Sequence, residues 1–273
     1  MARSGIDIPR PSGLAVYAAG QGRWEGVVAA NSRGTVFGGA LLAQAMSAAT
    51  DADGFLHHAH ATFQRSGDPR CTIEYEVTPV RVGTRFSSLV VSAVQGDREL
   101  LTLTASIERR PATQIRTSVT PPAGARELRS IVAPRSDSLA TWIGGVLDRF
   151  GRELHVVGPF PALEHPAQPN LEFWVQHRVD AAVPLAGELS YVADHFLLST
   201  AASLFEVNTD APGFVTLNHA IWVNAAPEAG AWLTHSYKAS LAGPDRVICR
   251  GEISAAGRPV ATVLQEGLVL PRL

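Results

Sequence analysis

The feature that most constrains this chain is a plan that occurs twice: a helix apolar on nearly every side, followed by a run of alternating strands. Residues 36–49 read VFGGALLAQAMSAA, built largely of small apolar side chains. A helix with no polar face has to be buried all round, which calls for a sheet that wraps it. Residues 192–205, VADHFLLSTAASLF, predict a second such helix. After the first, Cys71, Ile73, Tyr75 and Val77 share one strand face, with Thr72, Glu74 and Glu76 on the other. Further strands are predicted over 86–95 and 100–108, joined by GDRE at 96–99. After the second helix they are predicted over 215–223, 232–240, 247–254 and 260–270, with a hairpin turn at Ala256-Gly257-Arg258. The halves align at a constant offset of 159, the distance from His60 to His219, which also sets Phe37 on Phe196 and Phe63 on Trp222. The expected fold class is α+β: a buried helix wrapped by a curved antiparallel sheet, twice in tandem.

The boundary between halves lies in a stretch rich in Pro, Arg and Ser/Thr, where prolines block both helix continuation and central-strand pairing. The predicted division is 1–112, a linker at 113–134, and 135–273. A second loop, 158–170, carries Pro159, Pro161, Pro166 and Pro169 and is expected to run over the surface. Of the 273 residues 46% are hydrophobic and 18% charged, which excludes a disordered chain. A net charge of -2 gives no overall basic field for nucleic acid. No apolar run reaches the ~18 residues of a membrane span, and the N-terminus lacks the apolar core of a signal peptide, so a cytoplasmic setting is expected. Cys71 and Cys249 are too few for a disulfide framework and are read as free, mostly buried thiols. The absence of phosphate-loop, dinucleotide and G-x-S-x-G patterns gives nucleotide hydrolysis, hydride transfer and a serine hydrolase elbow no support.

Three polar residues stand out in the second half. Asp194 lies near the start of the predicted helix, Thr216 within the strand VTLNHAIWV, and Gln265 interrupts the apolar VATVLQEGLVL. A carboxylate, a hydroxyl and a carboxamide around one pocket can hold and activate a water molecule, the carboxylate taking its proton. Each residue alone also has an ordinary reading, Asp194 as a helix cap, Thr216 as a strand residue and Gln265 on a solvated face. His57, His58 and His60 form the most metal-like cluster. In a strand His58 and His60 share a face while His57 points away, and no Cys or paired acid lies near, so no metal is expected. His60 aligns with His219, which reads as a core histidine in each half.

The runs RGTVFGGALLAQAMSAAT, HAHATFQRSGDP, SYVADHFLL, LNHAIWV and VATVLQEGL, in this order from residue 33 to 269, resemble the acyl-CoA thioesterase II family. The resemblance implies a double hotdog fold, hydrolysis of acyl-CoA to free acid and coenzyme A, and a catalytic Asp, Thr and Gln at Asp194, Thr216 and Gln265. It implies no cofactor and a homo-oligomer. Gly38, Gly39, His60 and Arg65 are the expected substrate-binding residues; Arg33, Arg81 and Arg85 are further arginine candidates for coenzyme A phosphates. The helix end at Gly38-Gly39, or the one near Asp194, is a candidate source of amides for a developing oxyanion. In the first half Thr35, His57 and Ser106 fall on the catalytic positions, with no carboxylate, so hydrolysis is expected only in the second. Asn218 stands where the family commonly has Asp, residues 224–226 replace its His-Arg-Pro, and Gln64 and Ser66 replace Leu and Pro. These departures motivate a rival reading, a hydrolytically silent acyl-thioester-binding or accessory protein. A hydratase on the same fold is weaker, because the neighbours Asp194 and His195 point about 100° apart on a helix.

Overall fold

The computed structural model describes residues 13–31, 33–50, 54–136, 138–164, 166–205 and 213–270. A hairpin of β1 (Tyr17–Gly20) and β2 (Arg23–Gly26) precedes α1 (Gly38–Ala49) and the strands β3 (Phe55–Phe63), β4 (Ile73–Val82), β5 (Phe86–Gln95) and β6 (Arg98–Glu108). Next come β7 (Thr113–Ile115), β8 (Arg126–Glu127), α2 (Leu128–Val132), α3 (Ser138–Phe150), β9 (Leu154–Val157), α4 (Pro161–Glu164) and β10 (Asn170–Gln176). The last part holds α5 (Leu185–Phe196), a 3-10 turn over Leu198–Leu204, β11 (Gly213–Val223), β12 (Ala225–Pro227), β13 (Trp232–Leu241), β14 (Arg246–Ala255) and β15 (Arg258–Leu270).

Thirteen strands make one sheet in the order β1-β2-β4-β5-β6-β3-β11-β15-β14-β13-β10-β9-β8, while β7 and β12 pair separately. The halves meet at its centre, where β3 and β11 run antiparallel. There His60 faces Ala220 and Ala61 faces His219, so adding 159 to each first-half residue exchanges the two pairs. The helices break that offset. Gly38 and Leu185 open two helices of 12 residues each, and they are 147 positions apart. Asp194 therefore corresponds in helix position to Ser47 rather than to Thr35.

The second helix starts seven residues earlier than the apolar run predicts. Glu188 and Ser190 hide its first turns from a hydrophobic pattern, yet both are buried, alongside Ala186, Leu189 and Ala193. Glu188 is satisfied by an ionic cluster: Arg152 bonds its carboxylate, and His177 Nδ1 lies 3.2 Å from its Oε2. Burial pushes the Glu188 carboxyl up, but the His177 hydrogen bond and the Arg152 charge outweigh this and hold it below the ordinary range.

In α1 every residue from Gly39 to Ala49 is buried, including Gln44. Gln44 Nε2 donates to the carbonyls of Gly13 (2.8 Å) and Val27 (3.0 Å), and its Oε1 accepts from the Tyr75 hydroxyl at 2.7 Å. The polar side chain in the middle of this apolar helix thus ties the N-terminal segment to the core. Gln44→Leu leaves the buried Tyr75 hydroxyl and two backbone carbonyls without their partner. It is expected to destabilise the fold by roughly 2–4 kcal/mol, read from the denaturant midpoint.

Three expectations need correction. The stretch predicted as a linker carries β7, β8 and α2, with Ile115 and Leu128 buried. The proline-rich loop is not all at the surface: α4 buries Pro161, Ala162 and Leu163, because prolines in a first helical turn lose no hydrogen bond. Cys71 is exposed, since the strand it was placed in starts only at Ile73; Cys249 is buried. The hairpin turn predicted at 256–258 is present: Ala256 and Gly257 both take positive φ (50 and 72°), the geometry that a two-residue hairpin needs.

Candidate active site

Asp194 lies in the last turn of α5, not the first, so it cannot cap its own helix. The carbonyl end of α5 beside it disfavours negative charge. The compensation comes from the other half. α1 begins after Phe37 with no side-chain cap and no acid in its first turn. The Gly39 amide, in that turn, donates to the Asp194 carboxylate. A residue from the second half thus caps the helix of the first, the role usually taken by a local Ser, Thr or Asp.

This contact requires glycine. An added methyl at Gly39 would lie 2.8 Å from Asp194 Cβ and 2.8 Å from the Phe37 ring; at Gly38 it would lie 3.4 Å from the carboxylate and 3.3 Å from the Phe63 ring. Gly39→Ala is expected to keep the fold, since alanine is the better helix former, while displacing the carboxylate. Any chemistry that runs through this carboxylate should drop by about 100-fold beside an unchanged far-ultraviolet spectrum.

Thr216 is aimed by a β-bulge. Against β15, Thr216 faces Gly267 while Asn218 faces Glu266, leaving residue 217 as the extra one. The bulge puts Thr216 and His219 on the same inner face although they are three residues apart. Gln265 faces His219 across the ladder and so joins them. The three polar groups converge: Thr216 Oγ1 donates to Asp194 Oδ1 at 3.0 Å, and Gln265 Nε2 donates to the same oxygen at 2.6 Å and to Thr216 Oγ1 at 2.7 Å. Burial pushes the Asp194 carboxyl up to about 6, against the pull of the donors from Thr216, Gln265 and Gly39. Phe37 packs 4.3 Å from the His195 ring, and His195 Nδ1 meets the Tyr191 carbonyl at 2.9 Å.

The other candidates are distributed differently. Gly38 and Gly39 border the carboxylate, as above. His60 does not: it is exposed on the outer sheet face, so of the aligned pair His60 and His219 only the second is a core histidine. The alternation of the strand decides this, because Ala61, not His60, is register partner to His219. His57 meets Ser106 at 2.9 Å and His58 stacks on Trp222 at 4.9 Å, so each has work in the sheet. Thr35, expected beside His57 and Ser106, is held instead by Asn31 at 2.9 Å. Arg65 is exposed after β3, and Arg85 pairs with Glu108 at 3.1 Å. Arg33 crosses between halves to the Phe214 carbonyl at 3.2 Å. Asn218 points outward to Thr62 (3.1 Å) and Glu266 (2.7 Å), on the face opposite Asp194. Sequence reasoning assigned the amides of the Gly38-Gly39 helix end to an oxyanion and missed both the bond from the Gly39 amide to Asp194 and the bulge; a Gly-Gly helix start without a capping residue was the available signal for the first.

Two buried helices wrapped by one antiparallel sheet, with a partly buried carboxylate at their junction, define a double hotdog protein. Solved structures agree on the fold: a hot dog fold protein from Alicyclobacillus acidocaldarius has a TM-score of 0.74 at 17% identity, covering 96% of this chain and 98% of its own. An acyl-CoA thioesterase II from Mycobacterium marinum has a TM-score of 0.70 at 23% identity, covering 96% of each chain. The patterns of the acyl-CoA thioesterase N-terminal and C-terminal domains match residues 28–108 and 122–269. The chain belongs to the acyl-CoA thioesterase family, a family of thioester hydrolases. Among its relatives, acyl-CoA thioesterase 2 of Haemophilus influenzae is 28% identical over 253 residues, 86% of this chain and 87% of that one. Human acyl-coenzyme A thioesterase 8 is 25% identical over 258 residues, 86% of this chain and 80% of that one. Among the described residues no helix is long and apolar enough to cross a membrane.

Proposed function

We propose that this protein hydrolyses acyl-CoA thioesters to the free acid and coenzyme A through a water activated at Asp194, Thr216 and Gln265, with Asp194 as general base and the other two holding its carboxylate. The observation that carries this reading is the convergence of both side chains on one oxygen of a carboxylate whose acidity is set to about 6. A base poised there is ionised at neutral pH yet still takes up a proton readily.

Water attacks the thioester carbonyl carbon as its proton passes to Asp194. The tetrahedral intermediate collapses with cleavage of the C–S bond, and the departing thiolate recovers the proton from Asp194. Direct attack by the carboxylate is disfavoured, because three donors already occupy most of its lone pairs. The first turn of α1 supplies the amides for the oxyanion, except that of Gly39, which the carboxylate uses. Gly38 gives the thioester a close approach to that turn. In this reading the exposed Arg65, which follows β3, whose Phe63 abuts Gly38, pairs with a coenzyme A phosphate.

The test is thiol release from a panel of acyl-CoAs of short to long chain. Turnover of at least one is expected. Binding without turnover across the panel would instead favour the silent acyl-thioester binder.

A further inference from the structure

Next to the three converging residues lies a buried polar side chain that they do not use. His219 on β11 is 0% exposed, and neither ring nitrogen has a hydrogen-bond partner. An apolar side chain of that size would fill the space without an unsatisfied donor. His235, the other fully buried histidine of the sheet, differs: its Nδ1 meets the Tyr237 hydroxyl at 2.8 Å and its ring stacks on Phe173. The register partner of His219 is Gln265. Residues directly opposite in an antiparallel pair place their side chains in contact on the same face. Gln265 carries the complementary deficit: Nε2 has spent its hydrogens on Asp194 and Thr216, while Oε1 is buried with no partner.

A carboxamide has two orientations of nearly equal shape. Only one puts Nε2 toward Asp194; the other sets Oε1 against the carboxylate and withdraws a donor from it. A hydrogen-bond donor behind Oε1 selects the productive orientation.

We propose that His219 is a positioning residue for hydrolysis, presenting a ring N–H to Gln265 Oε1, directly after a small rotation or through one enclosed water, and so holding the amide with Nε2 on Asp194. This rests on the reading of Asp194, Thr216 and Gln265 as the reaction centre. Burial, helped by His60, pushes His219 down to about 3, so the ring is neutral at working pH and carries a single N–H. The titratable groups near it are His60 on the outer face of β3, Asp194 beyond Gln265, and Cys249 on β14, the other register partner of Gln265, whose thiol burial pushes up to about 12. His219 itself does not change charge across the range in which Asp194 does.

The experiment compares His219→Leu, Gln265→Leu and the double variant on an acyl-CoA that the wild type turns over. His219→Leu is expected to lower kcat about tenfold, one hydrogen bond's worth, with KM little changed. It should also move the acid limb of the kcat/KM profile to higher pH, because Asp194 loses a donor when the amide turns. The double variant should be no slower than Gln265→Leu alone. A His219→Leu enzyme with unchanged kcat and acid limb overturns the proposal, as does a double variant in which the two losses add. Should His219→Leu fail to fold, ¹⁵N-histidine labelling decides instead. A solvent-protected His219 ring N–H whose shift moves in Gln265→Leu supports the contact, and one that does not move refutes it. If Gln265→Leu itself turns over at the wild-type rate, the reaction-centre reading fails and this inference falls with it.

Discussion

Asp194→Asn is expected to release thiol about 10²–10⁴-fold more slowly than the wild type, at every pH at which the protein is folded. Asparagine has the shape of the carboxylate and keeps an oxygen to accept from Thr216 and Gln265, but it cannot take up a proton. The loss should therefore fall on kcat, with KM within a few-fold. The wild type should show kcat/KM rising with pH through about 6, the acidity to which burial pushes Asp194. The sign follows from the chemistry: a base works only when ionised, so activity is absent below that pH and full above it. Thr216→Val and Gln265→Leu each remove a donor to the ionised form. Both should push the carboxyl, and with it the acid limb, further up. A wild-type profile with no limb between about pH 5 and 7, or an Asp194→Asn enzyme of normal rate, would dismiss Asp194 as the base.

Glu188→Ala should destabilise the protein by about 3–5 kcal/mol, because it strands Arg152 in the interior with no counter-charge. For a chain of this size that corresponds to a fall of roughly 6–20 °C in Tm, followed by calorimetry. The folded carboxyl is held below its ordinary value, so its stabilisation is complete above 4.5, the unfolded value, and is lost as pH falls beneath it. The wild type should lose stability on acidification in that window more steeply than the variant. Kinetic loss should accompany it, since the cluster anchors the start of the helix that carries Asp194 in its last turn. A Tm within about 2 °C of wild type would show that the cluster is a bystander.

Much of this was legible in the chain, for reasons that individual residues make plain. The segment 86–95 returned β5 residue for residue, with Leu89, Val91 and Ala93 turned inward at the period of two that a strand requires. The helix around Asp194 was misplaced because Glu188 and Ser190 read as surface residues, and only tertiary partners make them interior ones. The strand β10 sits beside a proline-rich stretch that masked it. The trio Asp194, Thr216 and Gln265 was nameable because each is polar in an apolar run. Their mutual geometry was not, since it depends on a one-residue bulge at 217 and on an amide from the opposite half. His60 was misassigned to the interior because a repeat offset matches residues without saying which sheet face each one takes.

The Gly39–Asp194 contact makes the two halves unequal in title and joint in effect. One half owns the proposed base, Asp194, whose acidity is set mainly by burial, Thr216 and Gln265, and the other half adds the smaller pull of the Gly39 amide. A substitution that tilts α1 without touching substrate would retune the pH at which the enzyme switches on. Through that one amide, a change in the packing of the first half would be felt at the carboxylate of the second.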